Sequence, residues 1–425
     1  MEVRRGYKQS EAGVIPEGWD VQCLSSLLTA GPKNGYSGRS ANDAPGTPTL
    51  GLGATTSGAL ILNDETVKRL EETIDATSDL FLQSGDVLVQ RSNTIDLVGT
   101  TAVFNGPSGV YVYPDLMMRL RFREQVTAHW FWRYANGANG RRFFMRVAAG
   151  SSGSMPKISG EKLRGMQLPV PPLPERRAIA TALSDVDALL SGLDRLIAKK
   201  HDLKQAAMQQ LLTGQTRLPG FSGQWEMKQL DEIGRCFAGG TPSTTRPDYW
   251  GGDVFWLPSG RVQNNILGAP SDSEITITER GLSESVAKRI TPCSVLVAIT
   301  GATCANVSLL QFEAAANQSV VAIEPFDETD ARYIFYALLM ERGQILSRQS
   351  GSAQGGVNLK AVKRIVIRCP LLNEQVAIAA VLSDMDAELA ALEARRDKTS
   401  ALKQAMMQEL LTGKTRLVPA GASRA

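Results

Sequence analysis

LKQAAMQQLLTGQTRL, residues Leu203–Leu218, returns as LKQAMMQELLTGKTRL at Leu402–Leu417, with thirteen of sixteen positions identical. A repeat of this quality is settled before any other feature, because missing it misreads the architecture. Widened, PPLPERRAIATALSDVDALLSGL (Pro171–Leu193) aligns without gaps on PLLNEQVAIAAVLSDMDAELAAL (Pro370–Leu392), and the full unit carries 27 identities in 48 positions. Upstream the likeness fades but persists: SGSMPKISGEKLRGMQLPV faces SAQGGVNLKAVKRIVIRC, each reading as a Gly/Ser loop, a short polar helix and a short apolar strand. The halves also begin alike, EGWDVQCLSSLL (Glu17–Leu28) against GQWEMKQLDEIG (Gly223–Gly234), with Trp19 and Trp225 in register. In the middle, SGDVLVQRSNT (Ser84–Thr94) is echoed by TPCSVLVAITGAT (Thr291–Thr303). Between these anchors the halves share almost nothing. The chain is two copies of one plan, a variable globular domain followed by a constant helix.

The constant helix has a physical reading. Proline is tolerated only in a helix's first turn, so Pro171, Pro172 and Pro174 place the start near Pro174–Glu175. Leu183, Val186, Leu190, Leu193 and Ile197 follow at alternating spacings of three and four, a narrow coiled-coil seam rather than a broad core-facing stripe. After a one-residue slip Leu203, Ala207 and Leu211 continue it, and Gly214 stands where a C-terminal glycine cap belongs. The second copy repeats the pattern with Leu382, Met385, Leu389 and Leu392, then Leu402, Met406 and Leu410, ending at Gly413. Asn373 replaces a proline of the first copy, which predicts a different start for the second helix. Roughly 39 residues make a rod of ~58 Å, too long to bury its seam on one domain. The other copy is the partner at hand. The expected fold class is therefore α+β: two globular domains of mixed sheet plus helices, separated by two long helices pairing as an antiparallel coiled coil with pseudo-two-fold symmetry.

A length of 425 residues suits two or three domains, and 43% hydrophobic with 21% charged residues suits a soluble globular chain. No run of ~18 uncharged apolar residues predicts a membrane helix. The opening MEVRRGYKQSEAGVIPEGW lacks the apolar core of an export signal, so a cytoplasmic location is expected. The five cysteines are scattered and there are only two histidines, His129 and His201, so no metal ligands are assigned. A net charge of +3 says little about partners. Local charge says more: Arg119, Arg121, Arg123, Arg133, Arg141, Arg142 and Arg146 face one acid, Glu124. Phe122, Trp130, Phe131, Trp132, Tyr134, Phe143 and Phe144 are interleaved with them. That run reads either as a nucleic-acid surface or as an ordinary solvated basic face.

Catalytic signatures are missing. An amino-methyltransferase needs an N/D-P-P-Y/F/W loop, and VPPL at Val170–Leu173 lacks both the polar and the aromatic residue. TGKT at Thr412–Thr415 fails as a phosphate loop, because the required first glycine falls at Gln408. Pro247–Asp248 has no (D/E)xK within reach, and Asp202-Leu203-Lys204 lies on the rod. His129 sits among aromatics and His201 on the rod, which suits packing and solvent rather than general-base work. No catalytic residue is assigned.

The order of variable domain, PPLPE-type helix start, long helix and LLTGxTRL end, written twice, resembles the specificity (S) subunits of Type I restriction–modification systems. FAGGTPSTTRPDYWGG (Phe237–Gly252) with FWLPSG (Phe255–Gly260), and GDVLVQRSNTIDLVGTTAVF (Gly85–Phe104), are similar to stretches of that family's target recognition domains. The resemblance covers essentially the whole chain. It implies a non-catalytic subunit for defence against foreign DNA, whose two recognition domains bind a bipartite, asymmetric double-stranded DNA target. It implies as partners two methyltransferase (M) subunits and restriction (R) subunits, with S-adenosylmethionine, ATP and Mg on those partners and no cofactor on this chain. It also implies that residues 1–16 lie near the C-terminal helix. The domains expected are 17–170 and 219–369 for recognition, 171–218 and 370–417 for the helices, and 418–425 as a flexible tail. Two other readings compete: a single-chain methyltransferase or nuclease with fused specificity, and a coiled-coil adaptor without DNA recognition. Methylation by the chain alone would favour the first, and absence of sequence-dependent binding the second.

Base reading needs short donors and acceptors on loops, with arginines for guanine edges and phosphates. Candidates in the first domain are Lys33, Asn34, Tyr36, Gln90, Arg91, Ser92, Asn93, Thr94, Ser151, Ser152 and Lys157. In the second they are Thr241, Ser243, Thr244, Thr245, Arg246, Ser259, Arg261, Thr300, Thr303 and Gln354. If the constant text is the ruler and the variable text the reader, inserting four residues (~6 Å of helix) into one rod lengthens the gap between half-sites by one or two base pairs. A methylation map reads this directly, and altered half-sites with an unchanged gap would overturn the division of roles.

Overall fold

The computed structural model describes residues 4–148, 155–271, 274–348 and 356–418. Ser151, Ser152, Gln354 and nearly all of the expected tail lie outside the described residues. The chain folds as two compact units, one holding residues up to Leu193 together with those from Arg395 onward, the other Asp194–Ala394. The division falls inside each long helix rather than at its ends. Each unit therefore owns the first half of one rod and the second half of the other.

The first unit opens with an antiparallel hairpin, Tyr7–Ser10 against Gly13–Pro16. Asp20–Cys23 then pairs with Gln167–Val170, which leads directly into the rod. The main sheet has four antiparallel strands in the order Leu28–Asn34, Met117–Phe122, Val87–Gln90, Thr101–Val103. Val87–Gln90 is buried at every position, so this strand reads as a continuous apolar run rather than an alternation. Gln125–Asn136 and Ala138–Val147 are the larger domain helices, and Gly160–Arg164 is a short one capped by Ser159. A three-stranded sheet of Ser40–Ala41, Val67–Leu70 and Pro48–Leu50 is inserted beside the main one.

The second unit repeats the parts that follow the hairpin, in the same order. Glu226–Gln229 pairs with Val366–Cys369 ahead of the second rod. The main sheet runs Gly234–Ala238, Val320–Pro325, Ser294–Ala298, Val307–Leu310, Ile266–Leu267. Ala331–Met340 and Arg342–Leu346 are its domain helices, and Leu359–Lys363, capped by Asn358, is the short one. The inserted sheet differs: Ile275–Ile277, Trp250–Leu257 and Ala315–Ala316.

The rods are Leu173–Thr213, of 41 residues, and Leu372–Leu410, of 39. Their first residues are equivalent in the repeat, so the different start predicted from Asn373 does not occur. The reason is local: the carbonyls of Pro172 and Leu371 each accept the same two helix-opening amide bonds. Gly214 and Gly413 both adopt φ of 73°, the left-handed conformation that a helix-ending glycine supplies without steric cost.

Along the seam Leu183, Leu193, Leu382 and Leu389 are buried, while Val186, Leu190, Ile197, Met385 and Leu392 are half-buried. Leu203 and Leu402 depart from expectation, at 46% and 55% exposed. The neighbouring lysines take the inward places: Lys403 meets Asp187 at 2.6 Å, and Lys204 meets Asp386. Each aspartate is also held by its domain, Asp187 by Arg133 at 2.8 Å and Asp386 by the Tyr336 hydroxyl at 2.7 Å. An ion pair has replaced leucine at that level. In the first unit partner numbers fall as helix numbers rise, from Glu175–Arg416 to Asp187–Lys403, so the rods run antiparallel.

The repeated letters outside the seam form a clamp. Glu175, 1% exposed at its side chain, accepts from the Trp19 indole at 2.8 Å and pairs with Arg416. Its counterpart Glu374 accepts from the Trp225 indole at 3.2 Å and from Arg217 at 2.6 Å. In each unit the start of one rod is thereby tied to the end of the other. The Tyr7 hydroxyl adds bonds to the carbonyls of Gly413 and Lys414 at 2.9 and 3.0 Å.

Candidate nucleic-acid interface

In the first unit three strand ends meet at one edge of the main sheet. Asn34 lies opposite Met118, which lies opposite Val89, and Met117 lies opposite Gln90. The chain beyond Gln90 is pinned here: the Arg91 amide donates to Leu116 at 2.8 Å, and its carbonyl accepts from Ile158 at 2.9 Å. Tyr36 bridges to Pro114, and Ser92 to Lys157. Asn34, Tyr36, Arg91, Thr94 and Lys157 are thus gathered around one sheet end, although they come from three separate stretches of sequence. Asn34, Thr94 and Lys157 are exposed, while Tyr36 and Arg91 are half-buried. Arg91 spends one donor on the Asp115 carbonyl at 3.3 Å and keeps others for a ligand.

Four expected readers have other work. Gln90 is fully buried, its amide donating to Leu52 O, Thr55 Oγ1 and Thr56 Oγ1 while its carbonyl accepts from Asn93. Ser92 and Asn93 are buried beside it. These three build the turn and do not reach its surface. Lys33 is bonded to Asp79 at 2.9 Å and belongs to a network with Arg119 and Arg121. This bond first, and then Arg119, hold the Asp79 carboxyl well below the ordinary carboxylate range against the opposing effect of burial.

The basic run from Arg119 to Arg146 is therefore not one surface. Arg119 is fully buried against Asp79 and Asp86, Arg133 is buried against Asp187, and Arg141 donates to the carbonyls of Val98 and Asp96. The aromatics are mostly core, with Trp130, Phe131 and Phe144 wholly buried. His129 is half-buried against Trp132, and burial pushes its pKa down. His201 lies exposed on the rod, 3.4 Å from the half-exposed Glu393.

The second unit builds the same sheet end from other residues. The Gly239 amide donates to Val320, the Ile299 amide to Ser319 and the Val357 amide to Ile299, which brings together Thr241, Thr300 and Gly356. Thr241 bonds Gln318, a neighbour that no local sequence signal marks. Ser243 and Thr245 share a bond of 2.8 Å, and Thr244 is exposed beside them. Arg246 stacks 4.5 Å over Tyr249 and grips Asp248 with two bonds, pushing that carboxyl down to about 2. Ser259 and Thr303 lie half-buried in short 3-10 turns. Arg261 pairs with Glu274, whose side chain is only 4% exposed.

These placements separate two arginines. Arg91→Ala is expected to cost ~1–3 kcal/mol on the true target and relax one base position, read by competition among single-base variants. Arg261→Ala strands a buried carboxylate, so its main effect is on stability of the second unit. Equal weakening by Arg91→Ala on every duplex would mark a phosphate contact instead.

Among the described residues no cluster of His, Cys, Asp or Glu is arranged to hold a metal ion, and no helix is long and apolar enough to cross a membrane. The family model for a Type I restriction modification DNA specificity domain matches residues 222–400. A putative Type I restriction enzyme MjaX specificity subunit of Methanocaldococcus jannaschii is 22% identical over 424 residues, covering 97% of both chains. The MjaIX specificity subunit of the same organism is 29% identical over 167 residues, 38% of each chain. In structure, the chain is similar to a Type I restriction–modification S subunit from M. genitalium, with a TM-score of 0.58 at 13% identity, covering 96% of this chain and 98% of that one.

Proposed function

We propose, for a chain that belongs with the specificity subunits of Type I restriction–modification systems, that each sheet end reads one half of a split, asymmetric DNA target. The observation that carries this is the contrast between frame and surface. Both units repeat one frame, down to the clamp and the helix-ending glycines, yet the two sheet ends share almost no side chains. A duplicated frame with unlike tips suits a reader of two unlike half-sites. Asn34, Tyr36, Arg91, Thr94 and Lys157 would face one half-site, and Thr241, Ser243, Thr244 and Thr300 the other.

The subunit acts with methyltransferase and restriction subunits. We assign two methyltransferase subunits, one for each copy of the frame, and a cytoplasmic site of action. S-adenosylmethionine, ATP and Mg belong to those partners, and this chain contributes recognition rather than catalysis. The test is a genome-wide map of N6-methyladenine in a methylation-free host expressing the cognate methyltransferase subunit, with and without this chain. One split motif that needs the chain is the expected result. No new methylation from a complex shown to assemble would overturn the reading.

A further inference from the structure

Each unit holds one acid-free stretch, and the two overlap in the repeat without coinciding, since Lys360 corresponds to Glu161. Gln125–Gly160 holds five Lys and Arg and no Asp or Glu, and Arg342–Asn373 holds six and none. In the first, Arg133 and Arg141 are consumed internally and Lys157 stands at the sheet end, which leaves Arg142 and Arg146 exposed on Ala138–Val147. In the second, Lys360 and Arg364 are exposed. Each pair is four residues apart: Arg142 and Arg146 share one face of Ala138–Val147, while Lys360 lies in the short helix Leu359–Lys363 and Arg364 just past its end.

The surroundings agree. Arg142 and Arg146 line a cleft with Asn139 and Gln167, where Glu11 is the acid of the lining. Lys360 and Arg364 line a cleft with Arg348, Asn358 and Gln229, and no acid lines it. Each cleft adjoins the two-stranded sheet that precedes a rod, at Gln167 opposite Cys23 and at Val366 opposite Gln229. Among the described residues none of these four cations has a carboxylate partner, whereas Arg217, Arg235, Arg246, Arg261, Arg280 and Arg289 of the second unit all do. Arg348 is fixed in the cleft by bonds to Ala361 O at 3.0 Å and Gln344 Oε1 at 3.1 Å.

We infer that these two cation pairs bind phosphates of duplex DNA without regard to sequence, one pair for each half-site. This rests on the DNA-specificity reading and adds an anchor to it. The reading tips differ between units because the half-sites differ, whereas the phosphates are alike, and each unit sets a basic pair in the cleft beside its two-stranded sheet, from Ala138–Val147 in the first and from Leu359–Lys363 and its C-terminal end in the second. The cations carry no base information.

The test uses the full chain, alone and assembled with the methyltransferase subunit of its system, on duplexes carrying the intact or a scrambled target. Lys360→Gln with Arg364→Gln is expected to weaken both duplexes by about tenfold at moderate salt and to flatten the log–log salt slope by about 1.8. Lys360→Arg with Arg364→Lys, which keeps the charge, is expected to restore both. Unchanged affinity and slope would overturn the inference. So would a loss confined to the intact target, or a loss of methyltransferase assembly with DNA binding intact, which would make the cleft a protein-docking surface. If the unaltered chain binds intact and scrambled duplexes equally, the specificity reading fails, while the salt slope still decides the anchor.

Discussion

Glu175→Ala is expected to destabilise the first unit by about 3–5 kcal/mol, because it leaves the Arg416 guanidinium without its carboxylate in a site largely closed to water. Arg416 is 20% exposed and Glu175 1%, so solvent replaces little of what is lost. The wholly buried Trp19 indole loses its acceptor as well, at a further cost of about 1 kcal/mol or more. Glu175→Leu combined with Arg416→Met removes both charges and is expected to recover most of the loss. Peptide-resolved hydrogen exchange separates the units: Glu175→Ala should expose amides near Leu410–Gly413, and Glu374→Ala those near Leu211–Gly214. A loss below 1 kcal/mol for both would show that the seam alone holds the rods, with the clamp contributing nothing.

That clamp shows what sequence could and could not give. Its letters were visible as identities between the copies, Glu175 with Glu374, Arg217 with Arg416, Trp19 with Trp225. Their pairing was not, because the partners are 241 residues apart in one unit and 157 in the other. Periodicity located the rods, their glycine ends and most of the seam, since those depend on neighbours three or four residues away. It failed at Leu203 and Leu402, where an aspartate on the other rod decides which residue turns inward. The basic run failed for the same reason. Arg119 looked unopposed among arginines and aromatics, but its carboxylate is Asp79, 40 residues upstream. At the candidate interface, loops bearing polar residues were legible as loops. Which side chains surface was not: Gln90 and Arg91 are adjacent in sequence, yet one is a fully buried hub and the other faces outward.

Asp86→Ala is expected to cost about 3–5 kcal/mol and to erase discrimination at one half-site only. Asp86 is 3% exposed and accepts from Arg121 Nε at 2.9 Å and from the Gln83 amide at 2.9 Å. Arg119, 1% exposed, lies 4.0 Å from it and keeps only Asp79 once it is gone. The network ties the segment around Asp79–Asp86 to the strand Met117–Phe122, whose far end helps to form the sheet end that gathers Asn34 and Arg91. Lys33→Ala is the contrast. Its pair with Asp79 is half-exposed on both sides, at 40% and 53%, so the loss is ~0–1 kcal/mol. Acid acts on the same network: Asp79 has a folded pKa below its ordinary 3.8, so its contribution is present above that value and fades as pH falls through the depressed one. With each half-site varied in turn on otherwise intact duplexes, Asp86→Ala should stop distinguishing one set of variants and still distinguish the other. Loss of both discriminations at once, with hydrogen exchange showing the second unit intact, would mean that the two sheet ends do not read separately.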